Sequence, residues 1–243
     1  MVSLEDKSIA LGHPSYIWRQ GQERRLGLAL SHVNVEGKRL LDVGCGIGAY
    51  LEQFQRFTPH VYGVEVDMER LTRAREKAQA VLQAVAEQLP FRTGSFDVVF
   101  LHEVLEHVQD DAQSLREACR VTRKGGRLVI YVPNRLYPME THGFFLGKRY
   151  IFRLAPFINY LPNPIRRRLV PHARCYLARD LRRIMTGLPL RRVHWSYVYP
   201  GFDSIASRRP WLGSLLRAVT YAAERTPLMA FGISHFLVVE KTD

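Results

Sequence analysis

Apolar residues along this chain come in two rhythms. Short, nearly unbroken apolar runs at 39–43, 61–65, 96–101 and 127–132 read as strands covered on both faces, with a weaker one at 84–86. Between them, apolar positions three and four apart predict helices over 49–57, 68–81 and 110–122. Asp67 is placed to cap the second of these, which carries Glu69 and Arg73 as an i,i+4 pair. Lys124, Gly125 and Gly126 read as a turn before the fifth strand, and Pro133 with Asn134 ends it. Five strands alternating with helices imply an open parallel sheet with right-handed crossovers.

Upstream, Pro14, Ile17, Trp18, Leu26, Leu28, Ala29 and Leu30 suit an amphipathic helix, so 1–37 is expected to form a helical cap. After Tyr137 the rhythm breaks. Residues 143–171 hold aromatics, Pro156, Pro162 and Pro164, and fit no sheet element. Order returns as a helix over 178–185, a strand over 190–199, a mostly helical 204–224 and a last strand over 235–240. The expectation is an α/β fold: a seven-stranded, mostly parallel sheet flanked by helices, with an inserted lid. A single domain over 1–243 then divides into the cap, a ligand-binding core (38–134), the lid (137–176) and a C-terminal completion of the sheet (177–243).

Composition sharpens this picture in one place. Among 35 Lys and Arg against 23 Asp and Glu, twelve of the cations lie between Lys148 and Arg192, where Asp180 is the sole acid. A field of that sign implies an anionic partner: phosphate, nucleic acid or a lipid headgroup surface. No apolar run approaches the roughly 18–20 residues of a spanning helix, and the first residues lack a signal-peptide core. Cys45, Cys119 and Cys175 are too few and too far apart for a disulfide framework or a zinc site, so a reducing cytoplasm is the expected compartment.

The densest chemistry sits at 42–48, Asp-Val-Gly-Cys-Gly-Ile-Gly, where a buried strand turns into a helix. Glycines there let a ligand approach the backbone, and the helix start offers unpaired N–H groups. Glu65, ending the next strand, suits a ribose hydroxyl pair, so the turn points to an adenosine-type cofactor. The spacing also satisfies the dinucleotide pattern, which leaves a nicotinamide cofactor open.

Further segments follow in order: Gly63-Val64-Glu65, then 86–91 (AEQLPF), 96–100 (FDVVF), 103–108 (EVLEHV) and 125–130 (GGRLVI). Together with 40–51 this series resembles the class I S-adenosylmethionine-dependent methyltransferases, and within them the small-molecule branch of ubiquinone and menaquinone methyltransferases. The likeness is strong over 38–134 and looser beyond. It implies a Rossmann-like sheet with S-adenosyl-L-methionine across the carboxyl ends of the first and fourth strands. It implies that Gly44, Gly46 and Gly48, with Cys45 in the same loop, face the methionine part while Asp42 orients that loop, that Glu65 and Val66 meet the ribose, and that Ala86, Glu87 and Leu89 flank the adenine. Many relatives carry an Asp before that Ala-Glu pair; Val85 stands there instead.

Methyl transfer needs alignment, exclusion of water and, for a hydroxyl acceptor, a base. His102 and Glu103 end the fourth strand and would border the methyl, with Glu106 and His107 one turn beyond. His107, Glu103 and His102 are therefore the candidate catalytic residues. In certain relatives the Glu-x-x-Glu-His stretch binds a metal, which would make Glu103, Glu106 and His107 ligands, although no metal is expected. His142, Tyr150, Phe152, Arg166, Arg167 and Tyr176 are the candidate acceptor and lid residues. The apolar 150–161 beside Arg166-Arg167-Arg168 has the composition of an interfacial element. A small hydrophobic or anionic acceptor, O-methylated at an anionic membrane surface on the inner face, is the favoured expectation. RNA as acceptor, and a non-catalytic cofactor-binding protein, are the alternatives. Oligomeric state is not legible.

Overall fold

The computed structural model describes residues 19–78 and 80–243. Helix α1 (Gln20–Leu30) leads to β1 (Leu40–Val43), α2 (Ala49–Phe54), β2 (Val61–Glu65), α3 (Met68–Lys77), β3 (Val81–Gln83), β4 (Phe96–His102), α4 (Asp111–Val121) and β5 (Thr122–Pro133). Short strands β6 (Met139–Glu140), β7 (Phe144–Leu146), β8 (Arg149–Ile151) and β9 (Ala155–Pro156) precede α5 (Asn163–Leu169). The chain closes with α6 (Ala178–Met185), β10 (Leu190–Val198), α7 (Asp203–Ala206), α8 (Pro210–Ala223) and β11 (Ser234–Lys241).

Among the described residues the main sheet has seven strands in the order β10-β11-β5-β4-β1-β2-β3. β11 runs antiparallel to both its neighbours, and the other pairs are parallel. The pleat sends successive side chains to opposite faces, and both faces are covered. Leu40 packs with Leu51, Phe54 and Leu71 on one side. Leu41 and Val43 pack with Leu115 and Leu128 on the other. Burying each of these side chains contributes about 1.5–3 kcal/mol, which is why the runs read from the sequence are almost purely apolar.

The helix starts follow their caps. Asp67 accepts from the Arg70 amide at 2.9 Å and Asp110 from that of Gln113 at 2.8 Å. Glu69 and Arg73 pair at 3.2 Å. Several boundaries differ from expectation. Helix α3 stops at Lys77, and the third strand is 81–83 rather than 84–86, because Val81 takes the place opposite Gly63. The expected turn at 124–126 lies within β5, at an irregularity where Gly125 has φ of 72°. The insertion is not free of sheet: β7 and β8 form a hairpin across Gly147, and β6 pairs with β9. The stretch 204–224 divides at Pro210, whose ring cannot sit inside a helix. Pro14, Ile17 and Trp18 lie outside the described residues; Leu26 and Ala29 bury the inner side of α1.

Strand order reverses between β1 and β4, which pair in register from Leu40 with Val98 to Val43 with Leu101. The chain leaves β1 toward β2 and leaves β4 toward β5, so a crevice opens at the carboxyl ends of these two strands. Everything that carries chemistry gathers there.

Candidate active site

Glycines 44, 46 and 48 all adopt positive φ, at 67°, 56° and 77°. Their surroundings differ. A Cβ on Gly44 would lie 2.7 Å from Val104 Cγ2, and one on Gly48 would lie 3.2 Å from Ala74 Cα, so both fit close packing. A Cβ on Gly46 would meet nothing within 4 Å. The loop thus presents the Gly46 backbone to open space. Glu65, 5% exposed, fixes it from behind: one carboxylate oxygen accepts from the Gly46 amide at 2.8 Å, the other from the Val66 and Asp67 amides at 3.0 Å each. Asp42 lies buried beneath, where burial and then Glu65 push its carboxyl well above the usual range. Burial raises the Cys45 thiol likewise, which leaves it inert.

Val66 is exposed, whereas Ala86 and Leu89 are buried in the core. The Glu87 carboxylate accepts from the Gln109 and Asp110 amides at 2.8 and 3.2 Å, so it secures the entry to α4. Val85 stands out in solvent.

Beside the glycine loop, Arg25 of α1 reaches across the end of β4. Its guanidinium donates to Glu103 Oε1 at 2.7 Å, to His102 Nε2 at 3.0 Å and to the Ser234 hydroxyl at 2.8 Å. Ser234 in turn donates to Glu103 at 2.6 Å. Arginine only donates, so His102 Nε2 is its lone-pair nitrogen; Tyr50 OH approaches the same atom at 3.2 Å. Burial and then Arg25 hold the His102 imidazole down at about 3, neutral at pH 7. Burial opposes charge on Glu103, yet Arg25 overrides it and keeps that carboxylate ionised. Glu103 itself sits at φ of 55°, a conformation unusual outside glycine that turns its side chain toward α1.

Glu106 is the counterpart. It is 1% exposed, no N–H or hydroxyl of another described residue reaches its oxygens, and its hydrogen-bonding neighbour is the Glu103 carboxyl. Burial and then the Glu103 charge push its pKa well up, so one carboxyl of the two stays protonated. His107 donates from Nδ1 to the His172 carbonyl at 2.9 Å, which leaves Nε2 as the lone pair, 3.9 Å from Glu106. Burial and then the nearby His142 imidazole lower His107 to about 4.

His142 donates from Nδ1 to Glu140 at 2.9 Å, and its ring meets that of His107 edge-on at 5.5 Å between centroids. Glu140, 1% exposed, also takes Arg166 at 2.7 Å. Arg166 therefore points inward, with Ala173 O and Asn159 completing its partners. It is not a solvent-facing lid cation. Arg167 is exposed. Tyr176 is buried too, its hydroxyl bonded to Leu105 O and Asp111 Oδ2, and it stands in the wall of the cleft beside Glu106 and His107. Tyr150 donates to the His142 carbonyl at 2.6 Å, and Phe152 is 62% exposed. A cleft of about 770 Å³ runs past Glu106, His107 and His172 between Arg167, Arg174 and Arg183.

The sequence reading brought Gly46, Glu65, His102, Glu103, Glu106 and His107 to one crevice; in the structure Glu65 holds Gly46, Arg25 joins His102 to Glu103, and Glu106 and His107 line the cleft. It did not foresee Arg25, Tyr50, Ser234, Glu140 or His172. Arg25 sits in a Glu-Arg-Arg run like any surface helix, and no local pattern separates it from Arg24. Glu140 and Arg166, 26 residues apart, announce each other only in three dimensions.

Residues 41–130 match a family described as "Methyltransferase domain". Two curated relatives are named ubiquinone biosynthesis O-methyltransferase. The one from Aeromonas salmonicida is 38% identical over 127 residues, which is 49% of this chain and 53% of that protein. The one from Xanthomonas oryzae is 34% identical over 139 residues, 54% and 58% respectively. The chain thus spans little more than half the length of these relatives. Among solved structures, an S-adenosylmethionine-dependent methyltransferase from Mesorhizobium loti superposes with a TM-score of 0.58 at 19% identity, covering 88% of this chain and 96% of its own. The [4+2]-cyclase SpnF gives 0.57 at 20%, covering 95% and 84%. At such identities these likenesses show the fold, a Rossmann-like sheet of the methyltransferase type.

Proposed function

We propose that this chain, whose residues 41–130 match the methyltransferase domain family, is an S-adenosylmethionine-dependent O-methyltransferase acting on a small hydrophobic acceptor. The observation that carries the reading is Gly46: its amide is held by Glu65 and its Cβ position is open, a cradle left free at the end of β1. The donor set fits the cofactor. Gly44 and Gly46 would lie along the methionine part, and Glu65 Oε2, which accepts from one amide where Oε1 accepts from two, would take a ribose hydroxyl. Val66, exposed beside Glu65, would cover the ribose edge. Adenine would rest near Ala86 and Leu89 through packing and backbone groups, since Val85 offers no carboxylate and Glu87 is committed to α4. When bound, S-adenosylmethionine supplies an activated methyl carbon for in-line displacement.

What the chain adds is position. Arg25 locks Glu103 and the neutral His102 in one arrangement at the end of β4, and α1 closes that side against water. His107, held by its Nδ1–H on the His172 carbonyl, presents Nε2 with its lone pair and is the candidate to accept a hydroxyl proton. A lowered pKa makes it a modest base, which suits a phenol or catechol better than an aliphatic alcohol.

The named relatives act, by their names, in ubiquinone biosynthesis, which supports a small quinol-like acceptor over RNA. Association with an anionic membrane surface is favoured by exposed Phe152, Leu154 and Phe157 beside Lys148, Arg149 and Arg153. Calorimetric titration decides the cofactor. Binding of S-adenosylmethionine without binding of NADH is the expected result; no binding by the folded chain at about 100 μM removes the reading. Transfer of labelled methyl to a catechol bearing an apolar tail then tests the acceptor class.

A further inference from the structure

The resemblance gives a metal to the Glu103–His107 stretch, but Glu103 is taken: Arg25 and Ser234 occupy the oxygen it turns to them. The insertion supplies a different donor. One ligating atom each of Glu106, His107 and His142 lies within 4.8 Å of the other two. Glu106 is buried, and no N–H or hydroxyl of another described residue reaches its oxygens; its neighbour is the Glu103 carboxylate, a like charge that a bound cation would offset. Both imidazoles are already oriented by their far nitrogens, His107 by the His172 carbonyl and His142 by the Glu140 carboxylate. Metal-binding histidines are oriented in this way, through a carbonyl or carboxylate on the other ring nitrogen. Glu140 is itself braced by buried Arg166, so the support extends one layer further.

We propose that Glu106, His107 and His142 form a binding site for a first-row divalent cation, with His142 of the insertion in the place that the resemblance gives to Glu103. Two imidazoles and one carboxylate favour Mn²⁺, Fe²⁺, Co²⁺ or Zn²⁺ over Mg²⁺. Glu106 and His107 also line the cleft, so positions left open on the ion would face a ligand there. Such an ion would take the His107 lone pair, so that polarisation of the acceptor oxygen by the ion would stand in for direct proton removal by that imidazole. It would also tie the loop after β4 to the segment between β6 and β7, joining core and insertion through one coordination sphere.

The probe is Co²⁺ titrated into the full metal-free chain, followed by visible absorption and calorimetry. The expected result is one equivalent bound with a histidine-ligated spectrum in the wild type and in Glu103→Gln. His142→Gln and Glu106→Gln should each weaken binding at least tenfold. Circular dichroism and S-adenosylmethionine affinity of the metal-free variants confirm that they fold. Co²⁺ should also slow proteolysis within 141–176 in the wild type and not in His142→Gln. Failure to bind at millimolar Co²⁺ overturns the site, as does binding that survives His142→Gln or is lost in Glu103→Gln. S-adenosylmethionine binding is read separately on metal-free protein, so loss of this site leaves the cofactor reading standing, and the reverse.

Discussion

Arg25 and Glu103 meet at 2.7 Å, although 78 positions separate them in the chain. One belongs to the first helix and the other to the end of β4, so the pair fastens α1 over the crevice. With side-chain exposures of 14% and 24%, neither charge is well solvated. Removing one partner leaves the other uncompensated. Arg25→Ala should therefore cost about 2–3 kcal/mol of stability, and the double variant with Glu103→Gln should recover part of it. Urea denaturation of the single and double variants checks this; strictly additive losses would remove the coupling.

The glycine loop separates packing from ligand space. Gly44→Ala drives a Cβ to 2.7 Å from Val104, so it should destabilise, and Val104→Ala should relieve part of the cost. Gly46→Ala meets no protein atom, and its positive φ costs about 1 kcal/mol. It should nonetheless weaken S-adenosylmethionine at least tenfold, because the new methyl stands where the ligand approaches. Thermal melts and calorimetry on the same two variants distinguish these effects, and unchanged affinity in Gly46→Ala would refute the cradle.

Glu65 has two duties, on the loop amides and on the ribose. Glu65→Ala should weaken cofactor binding by about 1–3 kcal/mol, with a smaller loss of stability. An unaltered dissociation constant would assign Glu65 to the loop alone.

His235 gives the clearest pH dependence. It is 1% exposed, its Nε2–H donates to the Tyr176 carbonyl at 2.9 Å, and Trp195 donates to its Nδ1 at 3.2 Å. The Trp195 donor forbids a proton on Nδ1, and burial holds the imidazole down at about 4. In the unfolded chain it titrates near 6.5. Between these values the unfolded state binds the extra proton, so stability is complete above about pH 6.5 and falls as pH drops toward 4, by about 3 kcal/mol from this residue. His102, held at about 3, adds in the same direction. Melts from pH 7.5 to 4.5 should show the decline, and His235→Gln should make it shallower, the remainder coming from His102 and His107.

The insertion carries the membrane expectation. Replacing Phe152 and Phe157 by Ser should reduce sedimentation with anionic liposomes while leaving the melting temperature unchanged, since both side chains are about 62% exposed. Equal sedimentation would separate these aromatics from any lipid contact.

How far the sequence spoke depended on the range of each interaction. Strands and capped helices are local or near-local patterns, so Leu40–Val43, Phe96–His102 and the Asp67 cap were legible. The glycine loop with Glu65 spans one βαβ unit and was legible as well. The run Arg166-Arg167-Arg168 read as one cationic cluster of the lid. Helical geometry turns consecutive residues by about 100°, so one of the three had to face inward, and buried Glu140 decides which. Arg25 had no such cue, because its partners lie at 102, 103 and 234.

β11 is wedged between β5 and β10, yet it follows β5 by about a hundred residues. At a translation rate of about 5–20 residues per second, the flank of β5 stays bare for on the order of 5–20 s while the intervening chain is made. The backbone N–H and C=O groups of Ile130, Tyr131 and Val132 that pair with Leu237, Phe236 and His235 lack those partners throughout. The nascent chain therefore carries a sticky, half-built edge for longer than most of its elements need to fold, and it is at that stage that a chaperone would find most to hold.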